Sequence, residues 1–175
     1  MNKKTMYGIV AAVVIVIVVV VVAGAYVLMN PGGGGGGGGE DVITAANATS
    51  LQYDADITSQ GATVKYQFAG RNLGAANETL RINLLAGELG NYSYILNAGD
   101  ETAWMAVNDE WTDISSEFLT QWDSWGAQWN ANVNALGTWT TGTGDISYTA
   151  TNGDSIRIYN ISLNPTLADS LFQPS

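Results

Sequence analysis

From Met6 to Met29 the chain runs for 24 residues without a charged side chain, almost entirely as Val, Ile, Ala, Leu and Met. A run of that length crosses a ~30 Å hydrocarbon core as a helix, the one open-chain form in which every backbone polar group finds a partner in lipid. Pro31 and the glycines Gly32–Gly39 then end the helix and free the chain. The expected organisation is a cytoplasmic stub at 1–5, a transmembrane helix (or uncleaved signal anchor) at 6–29, a Gly-rich linker at 30–40 and one domain at 41–175. As a random coil the glycine run reaches roughly 15–17 Å, enough to lift a domain clear of lipid headgroups.

Lys3 and Lys4 flank the apolar run, and no Lys or Arg follows until Lys65. The positive-inside rule then puts the N-terminus in the cytoplasm and the domain outside. Ala23-Gly24-Ala25 also fits a small-x-small signal-peptidase site, which gives a cleaved secretory signal as the rival reading. Tyr26-Val27-Leu28-Met29 carries the run past that site and favours the retained anchor. The short basic leader also suggests a pilin-like assembly helix, but no Lys-Gly or Arg-Gly processing site precedes the run. Anchor and secreted form both place the domain outside the cytoplasm.

Four basic residues, Lys65, Arg71, Arg81 and Arg157, and all sixteen carboxylates lie beyond the anchor, a net charge of −12 for that region. No positive side chain occurs from Glu88 to Ser155. Such a surface repels phosphate backbones, so no nucleic-acid partner is expected. Cysteine and histidine are absent. That excludes thiolate nucleophiles, disulfides, zinc–thiolate clusters, imidazole bases and a Ser-His-Asp triad. No nucleotide or phosphate loop is present, and no cofactor is expected. Without disulfides, the domain depends on its hydrophobic core, for which its length suffices once but not twice.

From Ser50 the hydrophobic period becomes two. Leu51, Tyr53, Ala55 and Ile57 alternate with Gln52, Asp54, Asp56 and Thr58, the pattern of a strand with one wet face. Ser59-Gln60-Gly61-Ala62 makes a turn, and Val64, Tyr66 and Phe68 continue on a second strand. Leu80, Ile82 and Leu84 mark a third, Tyr92–Leu96 and Thr102–Val107 two more, and Ile146 and Tyr148 another. Thr151-Asn152-Gly153-Asp154 supplies an Asn-Gly turn into Ser155–Leu163, where the apolar phase slips between Ile158 and Ile161, as at a β-bulge or in a strand buried on both faces. About seven short strands separated by turns predict an all-β sandwich.

The stretch Val64-Lys65-Tyr66-Gln67-Phe68-Ala69-Gly70-Arg71-Asn72-Leu73-Gly74, followed by a polar gap and Thr79–Leu84, resembles the strand, Asn-x-Gly, strand signature of CARDB-like and FxLYD-like surface modules. The resemblance, centred on Asn72-Leu73-Gly74, implies an immunoglobulin-like sandwich acting as an adhesion or spacer domain on a prokaryotic surface.

Between Asp113 and Gly137 the period changes again. Ile114, Phe118, Trp122, Trp125, Trp129, Val133 and Leu136 fall within a stripe of roughly 100° on a helix. Thr120, Asp123, Ser124, Ala127, Asn130 and Asn134 take the opposite side. The spacing predicts a helix over 114–136, capped by Asp113 or Ser115 and ended by Gly137. Packed on the sheet, Trp122, Trp125 and Trp129 are core; exposed, they are a surface for a partner or for stacking on sugar rings. A basic polar face, which a membrane-lying helix wants, is lacking.

Asp109, Glu110 and Asp113 form the one candidate Ca²⁺ cluster, with Asn108 beside it, although the EF-hand order is absent and acidic residues ahead of a helix also suit its dipole. Asp54 and Asp56 are expected to be solvated. Asn47-Ala48-Thr49, Asn77-Glu78-Thr79, Asn91-Tyr92-Ser93 and Asn160-Ile161-Ser162 match the N-glycosylation acceptor pattern; Asn77 and Asn91 sit near predicted turns. At the C-terminus, Asn164 and Pro165 fit the start of a short helical turn, with Leu167 and Leu171 on its docked face.

These features point to a non-catalytic, membrane-anchored extracytoplasmic module for structure, adhesion or ligand display, with a cell-envelope protein or glycan as partner. A glycan-binding module using exposed Trp is the second reading, and a small carboxylate-dependent hydrolase the third.

Overall fold

The computed structural model describes residues 42–87 and 90–175; the expected stub, transmembrane helix and glycine linker lie outside the described residues. Among the described residues no helix is long and apolar enough to cross a membrane. The elements are β1 (Ser50–Ser59), β2 (Ala62–Arg71), β3 (Thr79–Leu85), β4 (Asn91–Asn97), β5 (Thr102–Val107), β6 (Glu110–Asp113), α1 (Phe118–Leu136), β7 (Ile146–Thr149) and β8 (Ser155–Leu163). A 3₁₀ turn at Ser115–Glu117 leads into α1, and another, Asp169–Phe172, lies in the C-terminal segment.

The strands form one eight-stranded antiparallel sheet in the order β6-β5-β4-β3-β2-β1-β8-β7. The expected β-rich domain with one added helix is therefore present, but its strands are hydrogen-bonded into a single sheet rather than divided between the two sheets of an immunoglobulin-like sandwich. Short turns keep β1 to β6 next to their sequence neighbours, so each new strand extends the same sheet. The chain leaves β6 at one edge and regains the sheet at β7, the opposite edge. The segment between is α1, whose aromatic stripe covers the face that a second sheet would otherwise cover.

Alternation in sequence becomes two faces in space. Tyr53, Phe68, Ile82, Tyr94 and Met105 are successive register partners across β1 to β5 and point to the helix side. Leu51, Tyr53, Phe68, Leu80, Ile82, Leu96, Ile156 and Ile158 are among the most buried residues of the core. Gln60 and Gly61, both at positive φ, make the two-residue β1–β2 turn, which closes on the pair Ser59 and Ala62. Gly70 permits close approach: a Cβ there would stand 2.7 Å from the Trp129 ring.

The phase slip in β8 is a bulge. Gln52 pairs with Ser162 and Asp54 with Tyr159, and Asn160 takes up the extra residue at φ 53°. β6 is a strand that periodicity did not reveal. Asn108 and Asp109, at φ 49° and 69°, turn the chain tightly enough for Glu110–Asp113 to pair with β5. Its four residues are too few to display an alternation.

The C-terminal segment docks, although not as its sequence suggested. Asn164 starts no helix; at φ 48° its side-chain oxygen accepts the Thr49 and Ser50 N–H groups at 2.8 and 3.2 Å, tying the segment to the start of β1. The segment then crosses the outer face of the sheet. There Phe172, with Leu167 and Leu171 beside it, packs on Ala69 and Ile95, flanked by Trp104 and Trp111.

Candidate functional site

The seam between α1 and the sheet holds the densest set of recognition-competent side chains. The helix begins at Phe118 rather than 114, with Ile114–Glu117 taken up by the preceding 3₁₀ turn. Asp113 accepts the Ser115 N–H at 2.8 Å at that turn, and α1 itself has no side-chain cap at Glu117. Gly137 ends α1 with its N–H on the Val133 carbonyl.

Trp125 and Trp129 are buried, at 2% and 4% exposure. The Trp125 ring lies 5.0 Å from Tyr94 and 6.3 Å from Tyr66 between centroids; Trp129 lies 5.4 Å from Tyr53 and 6.3 Å from Phe68. Trp122 is half-buried and stacks on Phe118 at 5.6 Å. The two inner indoles are core, and neither presents a free ring face to a ligand.

Beside them lies a buried polar hub that the stripe concealed. Asn132 is fully buried; its amide donates to the Tyr53 hydroxyl at 3.1 Å, and its oxygen accepts from Tyr148 at 2.7 Å and from Gln128 at 3.0 Å. Residues 118, 122, 125, 129, 132 and 136 follow a 4-3-4-3-4 spacing, so strict heptad counting places Asn132 on the stripe, where the sequence reading took Val133. Burial pushes the Tyr53 hydroxyl well above its ordinary pKa and that of Tyr148 up to about 12. Both phenols are neutral near pH 7. The hub offers neither a base nor a nucleophile; it fixes the helix against β1 and β7, the two strands that flank β8 at one end of the sheet.

The outer face carries the charges. Asp54, expected to be solvated, is only 8% exposed; Lys65 lies 3.1 Å from it, and the Asn160 side-chain amide donates to the same oxygen at 3.0 Å. Hydrogen bonding to Asp54 raises the Lys65 pKa and holds it as an ammonium. Tyr159 donates to Asp56 at 3.0 Å, and Lys65 and Arg157 both approach its ring. Arg157 pairs with Asp145 at 2.6 Å. The bulge at Asn160 and the pairing with β2 bring these groups over the Asp54 carboxylate, which strand alternation alone does not report.

Arg71 pairs with Asp169 and lies 4.4 Å over the Phe172 ring. Arg81 donates to the Leu171 carbonyl at 2.7 Å and lies over Trp111; burial draws its pKa down. All four basic side chains of the described region are thus engaged within the domain, so its excess carboxylates set the character of the free surface.

Asp109, Glu110 and Asp113 do not converge. Asp109 is in the β5–β6 turn, while Glu110 and Asp113 open and close β6, with Asp113 hydrogen-bonded to Ser115. Among the described residues no group of three or more acidic side chains is placed to hold a metal ion. Asn72 and Gly74, both at positive φ, build the β2–β3 loop: the Asn72 amide donates to the Asn77 carbonyl at 3.2 Å and the Gly74 N–H to Glu78 at 3.0 Å. This Asn-x-Gly is a turn device. All four sequon asparagines are exposed; Asn47 donates its amide to the Val42 carbonyl at 3.1 Å and Asn160 to Asp54, whereas Asn77 and Asn91 carry no side-chain hydrogen bond among the described residues. Comparison with protein families, curated proteins and solved structures finds no match for this chain.

Proposed function

We propose that the chain is a non-catalytic, membrane-anchored surface module that holds a rigid sheet-and-helix body outside the cytoplasm on a glycine tether. The observation that carries the reading is the use to which the chain puts its recognition-competent groups. Trp125, Trp129 and Asn132 are spent inside the seam, and Lys65, Arg71, Arg81 and Arg157 on internal partners. A body held together this way suits a spacer or display role, the role that the immunoglobulin-type modules resembled by Val64–Leu84 suggest. Residues 6–29 supply the anchor, and the acidic exterior keeps the body soluble beside it.

Protease added to intact cells tests the topology. It should remove the domain and spare a membrane-bound stub; recovery of the chain as a soluble cytoplasmic protein refutes the anchor.

A second reading rests on Trp104 and Trp111, which are half-exposed on the outer face beside the C-terminal segment. Trp104, rather than the buried Trp125 and Trp129, is the ring offered for stacking on sugars of an envelope glycan, since Arg81 lies over Trp111. Binding of residues 42–175 to a glycan panel, lost on Trp104→Ala with the fold intact, would put this reading first. Turnover of any polysaccharide would overturn both.

A further inference from the structure

We infer that the folded protein carries N-linked oligosaccharide at Asn77 and Asn91 and not at Asn160. The inference rests on the extracytoplasmic placement proposed above, since transfer takes place where the exported chain meets a lipid-linked sugar donor. Four Asn-x-Ser/Thr triplets occur; the sequence favours Asn77 and Asn91, near predicted turns, over Asn160, within a predicted strand. The fold separates them by what each side-chain amide is doing.

Asn160 sits at the β8 bulge in a left-handed conformation, and its Nδ2 lies 3.0 Å from the Asp54 carboxylate. That carboxylate is 8% exposed and shared with Lys65. A sugar on Nδ2 would leave one amide proton to hold the Asp54 carboxylate and would crowd a contact made to a buried charge. Asn47 uses both ends of its side chain in a small turn: Oδ1 accepts the Thr44 N–H at 2.7 Å and Nδ2 donates to the Val42 carbonyl at 3.1 Å.

Asn77 and Asn91 differ from both. Each is exposed, and neither side-chain amide has a hydrogen-bond partner among the described residues. They lie at opposite ends of the sheet. Asn77 closes the β2–β3 loop, near the end where the chain enters β1 at Ser50; Asn91 opens β4 opposite Leu85, at the other end. A glycan at either position extends an exposed side chain and displaces no side-chain hydrogen bond among the described residues.

The sequon hydroxyls fix the order of events. Thr79, which a glycan-transferring enzyme must grip to use Asn77, is 4% exposed in the folded domain. Transfer there precedes folding, on the extended chain as it emerges. The chemistry is a substitution at the anomeric carbon of a polyisoprenyl-phosphate-linked oligosaccharide. The bond from Nδ2 to that carbon forms, its bond to the phosphate oxygen breaks, the lipid phosphate leaves with the electron pair, and one amide proton passes to a base of the enzyme. Folding then retains chains bearing sugar at Asn77 or Asn91 and disfavours those bearing it at Asn160.

The test is glycopeptide mapping of the full-length protein isolated from the envelope of the cell that makes it, alongside protease shaving of the same cells. Oligosaccharide mass at Asn77 and Asn91, with Asn160 unmodified, is the expected result. Asn77→Gln and Asn91→Gln should each remove one glycan and leave the melting temperature of the enzymatically deglycosylated protein within the error of the parent. Unmodified Asn77 and Asn91 in a domain that shaving shows to be outside would overturn the inference and leave the surface-module reading standing. So would sugar at Asn160 in the folded protein. A domain protected from protease in intact cells but cleaved after lysis would overturn both.

Discussion

Replacing Asn132 with Leu separates polar specificity from packing at the helix–sheet seam, because the two side chains share one branched heavy-atom skeleton. The substitution removes three hydrogen bonds: one to the Tyr53 hydroxyl, one from Tyr148 and one from Gln128. Tyr148 is half-exposed and can turn to water, but Tyr53 and Gln128 are buried and cannot. Each stranded buried group costs about 1–3 kcal/mol, and the apolar surface that Leu buries returns about 1–2 kcal/mol. The net loss is on the order of 2–4 kcal/mol, a large part of the stability of a domain this size. With a urea m-value of about 2 kcal/mol/M, the unfolding midpoint of residues 42–175 should fall by roughly 1–2 M with m unchanged. The decisive arm is Tyr53→Phe. In the parent it should destabilise, since it strands the Asn132 amide; in Asn132→Leu it should be neutral or stabilising, since it removes the stranded hydroxyl. A parental midpoint for Asn132→Leu, or the same cost for Tyr53→Phe in both backgrounds, would refute the hub.

Trp125→Ala should cost about 3–5 kcal/mol, and the part of the parent's indole emission that Trp125 contributes should resist acrylamide quenching until unfolding; an unchanged melting curve with no loss of quench-resistant emission would move the stripe to the surface. Gly70→Ala should cost about 1–3 kcal/mol, because a Cβ would meet the Trp129 ring, and an unchanged melting curve would show that the ring gives way freely. Burial raises Tyr53 well above its ordinary pKa and Tyr66, Tyr94 and Tyr148 to about 12, so the fold holds their protons after an unfolded chain has released them. Stability should therefore be intact below pH ~10 and lost as pH rises towards 12, with tyrosinate absorbance appearing in one cooperative step; gradual, non-cooperative titration would contradict this burial. Truncation after Leu163 uncovers Ala69 and Ile95 and leaves Arg71 and Arg81 without their C-terminal partners; it should lower the melting temperature, and unchanged melting would show that the segment adds nothing.

Local pattern carried much of this fold. Alternation located β1 to β5, β7 and β8, because strands with one buried face repeat every two residues whatever they pair with. The Gln60-Gly61 and Asn152-Gly153 turns and the bulge in β8 were legible for the same reason: backbone conformation at those points is decided by the residues themselves. The aromatic stripe located α1 to within a turn at its start. Net charge and the absence of Cys and His are likewise properties of the chain alone.

What the sequence could not decide was partnership across distance. Whether the strands make one sheet or two depends on which edges meet, and α1 took the covering role only because it crosses from β6 to β7. Asp54 looks solvated in β1, yet Lys65 from β2 and Asn160 from β8 close over it, since burial of a strand's outer face is set by its neighbours. Asn132 looks like one more polar residue on a helix, but Tyr53, 79 residues away on β1, and Tyr148, 16 residues on in β7, make it a hub. Position in a turn or a strand already set Asn77 apart from Asn160 as a sequon, but the contact of the Asn160 amide with Asp54 comes only from the fold. In each case the deciding energy is a contact between residues that the chain brings together only on folding, so it leaves no periodic trace in the sequence.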